Sequence, residues 1–373
     1  EGGRLLGLNA SSPAADSQIE ISFVVHFDTR RGNEIEFVYP KGADVAGIEF
    51  RAMPSGLHTV SSDTILFRHG GRWGVAAFNN RALESGAERG ARMRCVGVLL
   101  RGGREHLINM APSLHRVAFD LNQIEDPTPE SYSEVSRLVT DPRGDVQGEG
   151  VPREVLDAVN LASFEQFCHF FGPAVFSLWK AALLHKRVMF FSSVPLFRAC
   201  SFVHWTSGVA HFTDTTATSS QSNQLYCVGV ADIPDLSTLS NYVACTPDRL
   251  FHDKPQLWDV FVDGQVVTSP QNHFAHNSAD QRRFSELERT LLRRASTNTG
   301  GSALSDAEIA DYFVTLNNQL LSNLRAAHGD VVDKRYLSDV LHLDTSDAEF
   351  VSQLAAQQNI ELTVQMGSCP CCP

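Results

Sequence analysis

The chain has 373 residues, 43% hydrophobic and 20% charged, the values of a globular protein long enough for two or three compact modules. Its net charge of −12, without a basic block, argues against nucleic acid as the main partner and against simple electrostatic docking on anionic lipid. No apolar run approaches the ~20 residues that span a bilayer, and the start, EGGRLLGLNASSPAAD, has no charged-then-apolar leader. A cytoplasmic protein is expected, with peripheral membrane recruitment left open.

Residues 1–17, rich in Gly, Ser, Ala and Asn, read as a tail. Ile19–Phe27 and Glu34–Tyr39 read as a hairpin around the turn cluster Thr29–Asn33. Pro40–Gly47 is loop-like. Thr64–Arg68 and Trp73–Phe78 form a second hairpin about His69-Gly70-Gly71, and Met93–Leu100 is a fifth strand. Leu114, Val117, Ala118, Leu121 and Ile124 follow helical spacing, as do Tyr132, Val135, Leu138 and Val139. Five strands and two helices make a first α/β module, expected over 18–143. The Gly, Pro and charge-rich stretch after Thr140 reads as a linker, placed at 144–160.

The second module is organised around Ser163–Ser193. Ser163 followed by Gln166 is a capping box, Phe164, Phe167, Phe170 and Phe171 give an aromatic face, and Gly172-Pro173 stops one helix and starts another. Val175, Leu178, Trp179, Ala182 and Leu183 share a side of that second helix, and Val188–Phe191 reads as a strand buried on both faces. Pro195–Val209 is a predicted helix, Leu225–Val230 and Tyr242–Cys245 short strands, and Leu257–Val267 two strand-like runs about Asp263-Gly264. This alternation implies a partly parallel sheet over 161–277. From residue 278 the chain turns helical: Asp280–Arg294, then a helix from the Ser305 cap to Leu324, then one through Phe350, Leu354 and Ala355, with Ile360–Val364 β-like. The fold class expected is thus α/β in the first two modules and helical in the third.

The search for covalent or acid–base chemistry is empty. The sequence holds no P-loop, no Gly-x-Ser-x-Gly elbow and no His-Glu-x-x-His helix. His204 and His211 lack the converging partners a metal needs, and Cys168 beside His169 points a different way on its helix. No catalytic residue, metal or cofactor is expected. Among eight cysteines, Cys369, Cys371 and Cys372 form an unusual terminus open to acylation, while the scattered ones read as reduced buried thiols.

In Ser240–Asp263, Tyr242, Ala244, Thr246, Phe251, Trp258-Asp259-Val260 and Asp263 form a pattern that resembles the DENN domain. FFGPAVFSLWKAALLHKRVMFFSS resembles the DENN helix leading into its first buried strand. FVVHFDTRRGNEIEF, ALESGAERGARMRCVGVL and the terminal Cys-Cys-Pro are similar to the LCHN-type branch of that family. The similarity runs from about Phe23 to Pro373; Thr213–Asn223, Gly144–Gly150 and Arg101–Pro112 depart from it. The resemblance implies three parts: a longin-like module, a central DENN module and a helical downstream module. It also implies guanine nucleotide exchange on a Rab-type GTPase in membrane traffic, with other longin or DENN proteins as further partners.

Exchange needs a surface and no reacting side chain. Exposed strand-end and loop charges are the candidates: Asp28, Arg30 and Arg31 after the first strand, Glu88, Arg89 and Arg92 before the fifth, and Asp232 and Asp248 in the central module. Two other readings use the same surface. One is a non-enzymatic Rab-binding adaptor, the other a GTPase-activating protein with Arg30, Arg31, Arg89 or Arg92 supplied in trans.

Overall fold

In the computed structural model, which describes residues 18–83, 90–101, 105–140, 162–213, 222–270, 273–297 and 306–365, the first hairpin forms from β1 (Gln18–Asp28) and β2 (Gly32–Tyr39). The predicted tail, the predicted linker and the terminal cysteines lie outside the described residues. The chain divides into two compact units. The first comprises Glu1–Met53 with Val60–Val159, the second Pro54–Thr59 with Asn160–Pro373.

The short α1 (Ile48–Ala52) follows the predicted loop, where sequence periodicity carries no signal. The second hairpin is β3 (Ser62–His69) with β4 (Arg72–Ala82), and β5 (Ala91–Arg101) closes an antiparallel sheet of order β2-β1-β5-β4-β3. Two glycines set its packing. Gly97 pairs with Phe23 and Gly74 with Phe67, and a Cβ would lie 2.3 Å and 2.4 Å from the respective rings. Each ring lies flat across its neighbour strand because that neighbour has no side chain. Helix α2 (Glu105–Asn122) packs on β4 and β5, and α3 (Ser133–Thr140) on β1. Ile124, read as part of the apolar stripe, falls just past α2 and is 36% exposed.

The second unit opens as its sequence predicts. The Ser163 hydroxyl accepts from the Gln166 N–H, the Gln166 side chain accepts from the Ser163 N–H, and α4 (Phe164–Phe171) ends at Gly172 with φ 54°. Helix α5 (Val175–Leu183) is buried on every side and leads into β6 (Arg187–Phe191). After α6 (Phe197–Gly208) come β7 (Gln224–Cys227), β8 (Tyr242–Thr246), β9 (Val260–Asp263) and β10 (Val266–Thr268). The sheet order is β10-β9-β6-β8-β7, parallel except for β10. The predicted Leu225–Val230 strand is shorter than expected: Tyr226 at φ 57° bulges the strand, which ends at Cys227.

The downstream part contributes α7 (Ser278–Thr297), α8 (Asp306–Ala326) and, between the paired strands β11 (Val331–Val332) and β12 (Thr363–Val364), helix α9 (Ala348–Gln357). On the otherwise apolar α5 sits the buried Lys180. Its Nζ donates to Asp280 on α7 and to Asp347 just before α9, at 2.7 Å each. The Arg283 guanidinium donates to the other Asp280 oxygen at 3.4 Å and to the carbonyls of Leu341 and His342.

Candidate functional surfaces

The motif residues of Tyr242–Asp263 are scaffold. Tyr242, Ala244, Phe251, Leu257 and Trp258 pack into one core with Met189 and Phe261. The Tyr242 hydroxyl donates to the Leu257 carbonyl, and the Trp258 indole donates to the Phe251 carbonyl at 2.9 Å. Asp259 takes Arg187 twice over, accepting from its backbone N–H and its guanidinium at 2.8 Å each. Burial pushes the Asp259 carboxyl up, and the Arg187 hydrogen bonds outweigh that, leaving it below the usual range. This core aims the carboxyl ends of four parallel strands the same way, the edge where open α/β sheets bind their ligands.

That edge is a rim of apolar and charged side chains. Past β7, Val230 is 49% exposed, and past β8, Leu250 is 45% exposed. The Arg249 guanidinium lies 4.8 Å above the ring of Phe191 at the end of β6. Asp263 pairs with Phe191 in register, and Val266, opposite Asp263 on β10, is 65% exposed. The loops behind the rim are tied down. Ser192 N–H donates to the Thr246 carbonyl, Val228 N–H to that of Cys245, and Asp248 N–H to the Thr246 hydroxyl.

Asp232 and Asp248 meet here. The buried Asp232 carboxylate accepts from the Gly229 N–H at 2.9 Å. A Cβ added at Gly229 would lie 3.8 Å from Asp248 Oδ2, and Asp248 takes a hydrogen bond from the Val230 backbone. Burial raises the Asp248 carboxyl above its ordinary value, and the Val230 bond opposes this without cancelling it. Both carboxylates hold the 229–232 turn in place, and through it Val230.

In the first unit, Asp28 accepts from the backbone N–H of Arg30 and of Arg31 at 2.8 Å each, which lowers its carboxyl and shapes the β1–β2 turn. The Arg31 guanidinium reaches Glu34 at 2.9 Å. Arg30 is exposed and has no ion pair among the described residues. Asn33, where β2 begins, donates to the Met53 and Glu49 carbonyls and so ties β2 to α1, whose Phe50 is 59% exposed.

Arg92 is elsewhere and buried. It donates to the Ile124 carbonyl at 3.2 Å, beside Arg94 to Leu121 and Ile124 and Arg81 to Asn122 and Gln123. Three arginines satisfy the carbonyls at and just past the C-terminal end of α2, where the helix dipole favours cations. Glu88 and Arg89 lie outside the described residues.

The sequence reading missed Val230, Leu250, Val266 and Phe50, because apolar residues in short runs read as core. Their one signal is position: Val230, Leu250 and Val266 lie within three residues of charges at strand ends, and Phe50 stands between Glu49 and Arg51 on α1. Cys168 is buried and desolvation pushes its thiol pKa up, while His169 faces Glu165 at 3.7 Å, so the adjacent pair is no nucleophile and base. Among the described residues, no group of three His, Cys, Asp or Glu could hold a metal ion, and no helix is long and apolar enough to cross a membrane.

A sequence profile of the family DENN domain-containing protein 11 matches residues 22–275. The chain is 34% identical over 395 residues to the DENN domain-containing protein 11 of Xenopus laevis, covering 96% of this chain and 88% of that one. To the Rattus norvegicus protein of the same name it is 31% identical over 394 residues, covering 96% and 84%. To that of Danio rerio it is 32% identical over 393 residues, covering 95% and 78%.

Proposed function

Because the chain belongs to the family of DENN domain-containing protein 11, we propose that it is a guanine nucleotide exchange factor for a Rab-type small GTPase. The observation that supports this most directly is the rim of the second unit: Val230, Leu250, Arg249 and Val266 exposed together on an edge that the family's own motif residues hold rigid. Small exposed apolar groups beside a guanidinium suit a protein partner with an apolar, partly acidic face. Arg30, Arg31 and Phe50 of the first unit are a second GTPase-facing set. In this reading Asp28, Asp232 and Asp248 act as supports of these surfaces, Arg92 is committed to the carbonyl of Ile124 past α2, and Glu88 and Arg89 stay candidates on sequence position alone.

The mechanism is linkage. A factor that binds the nucleotide-free GTPase more tightly than the GDP form must weaken GDP by the same ratio. It does so by holding the switch segments away from phosphate and Mg²⁺, so the factor supplies no proton transfer.

Release of fluorescent GDP from a panel of Rab proteins at micromolar factor is the test. Exchange on at least one Rab, lost about tenfold or more in V230D/L250D with the fold intact, is expected from removing two interface anchors. No acceleration on any Rab would sink the reading. Binding to the GTP-loaded form without exchange would make the chain an adaptor. Arg30, exposed and without an ion pair among the described residues, favours one further reading, a guanidinium offered in trans to hydrolysis. Faster GTP hydrolysis that Arg30→Ala abolishes would establish it.

A further inference from the structure

Within the second unit, α7 and α8 wall a cavity of about 710 Å³ that the exchange reading does not use. Trp179 lies at its base and Tyr312 on its wall, and the turn carrying Leu341 and His342 closes one side. That volume is in the range of pockets that take ligands rather than water, and larger than one side chain needs.

The polar groups of the cavity divide sharply. Arg283, 6% exposed, is fully committed: it donates to the Leu341 and His342 carbonyls and to Asp280, and lies 5.4 Å from the Trp179 ring. Among the other lining groups, which include Gln319 and His342, two are uncommitted carboxylates. Glu286 on α7 and Asp311 on α8 are exposed at the mouth, and neither has an ion pair among the described residues. The Tyr312 hydroxyl likewise has no hydrogen bond there, and its ring, set at right angles to that of Phe313 with centroids 5.4 Å apart, lines the cavity with Glu286. Unspent carboxylates on facing helices, over an aromatic wall, match a guanidinium or ammonium on a short stem, which gains ion pairs and cation–π contact together.

We infer that this cavity takes a basic peptide segment of a partner protein, with an arginine or lysine side chain against Tyr312 between Glu286 and Asp311. The site is separate from the rim and stands whether or not the chain exchanges nucleotide. Docking there would leave the rim free, so one molecule could hold a GTPase and a second, basic partner.

The test uses the full chain and a fluorescein-labelled oligoarginine peptide, read by fluorescence anisotropy. Binding is expected, weakened about tenfold or more by E286K/D311K, since two charge-assisted contacts are lost. The chain is acidic overall, so a control with the same charge change elsewhere in the unit, D330K/E361K, must leave affinity within about twofold. Both pairs alter exposed side chains, and thermal unfolding checks that each variant is folded. No binding by the parent chain, or equal weakening by both pairs, overturns the inference. So does self-association of the chain that only E286K/D311K removes while the peptide fails to bind, which would give the cavity to a second copy.

Discussion

Both units bury cations, and the arginines beside α2 in the first and Lys180 in the second pair with different things. In the first, the buried Arg92 and Arg94, with the half-buried Arg81 beside them, spend their donors on carbonyls at and just past the end of α2, and Arg94 adds Glu36 at 3.0 Å. Those carbonyls have no intrahelical partner in any helix, so this solution answers a local need. In the second, Lys180 meets carboxylates 100 and 167 residues away in the chain. That arrangement satisfies no helix end; it stitches α5 to α7 and to the start of α9. Ionic burial of this kind gains little net energy over an apolar core but penalises any packing that separates the partners.

The contrast is broken most directly by Lys180→Met. It leaves Asp347 and one side of Asp280 buried without a cation, and a loss of roughly 3–5 kcal/mol is expected in urea unfolding. The triple variant K180M/D280N/D347N should recover most of it. If the single variant costs nothing, the cluster is hydrated and the contrast fails.

The next effect is acid lability of the first unit through His115. Buried against the Thr64 hydroxyl at 2.7 Å, its imidazole is pushed down to about 4 by desolvation. The unfolded chain takes up that proton near pH 6.5 and the folded unit resists it, so stability is lost as pH falls from 6.5 toward 4, on the order of 3 kcal/mol in all. H115Q should flatten that part of the pH profile; an unchanged slope would show that other groups carry it.

Gly97→Ala comes third. The methyl meets the Phe23 ring at 2.3 Å, so Phe23 must leave its rotamer, at about 1–3 kcal/mol. F23L/G97A should regain part of the loss, and a neutral G97A would show that the ring yields freely.

Smallest is His26, which has the opposite sign to His115. Its hydrogen bond to Glu36, then the Glu36 charge and Glu34, raise it above 6.5 against the opposing effect of burial. Its contribution is complete below pH 6.5 and lost as pH rises through the raised value. The stability difference between parent and H26N should shrink from pH 6 to 8; a constant difference would remove the ionic component.

Local signals were strong where neighbours in sequence are neighbours in space. The capping box at Ser163, the Gly172 stop and both hairpins are present as read, because caps and tight turns are made within a few residues. Arg92 and Asp232 were legible as charges near strand ends, and nothing in the sequence says that one serves a helix terminus thirty-two residues on and the other a turn three residues back. Val230 and Leu250 were illegible as surface for the converse reason: exposure is decided by what packs over a residue, and no periodicity encodes that over so few positions.

The sequence by itself determined the α/β class, the order of elements and the family, since hydrophobic period, capping chemistry and a motif of packed aromatics are all written along the chain. Only the tertiary structure decided which charges are spent inside the fold, which strand ends share one rim, and that Lys180, on an apolar helix, meets two carboxylates from distant segments. The physical reason is common to all three: desolvation and partnering belong to positions in space, and burial makes a charge's worth depend on neighbours that the chain order does not name.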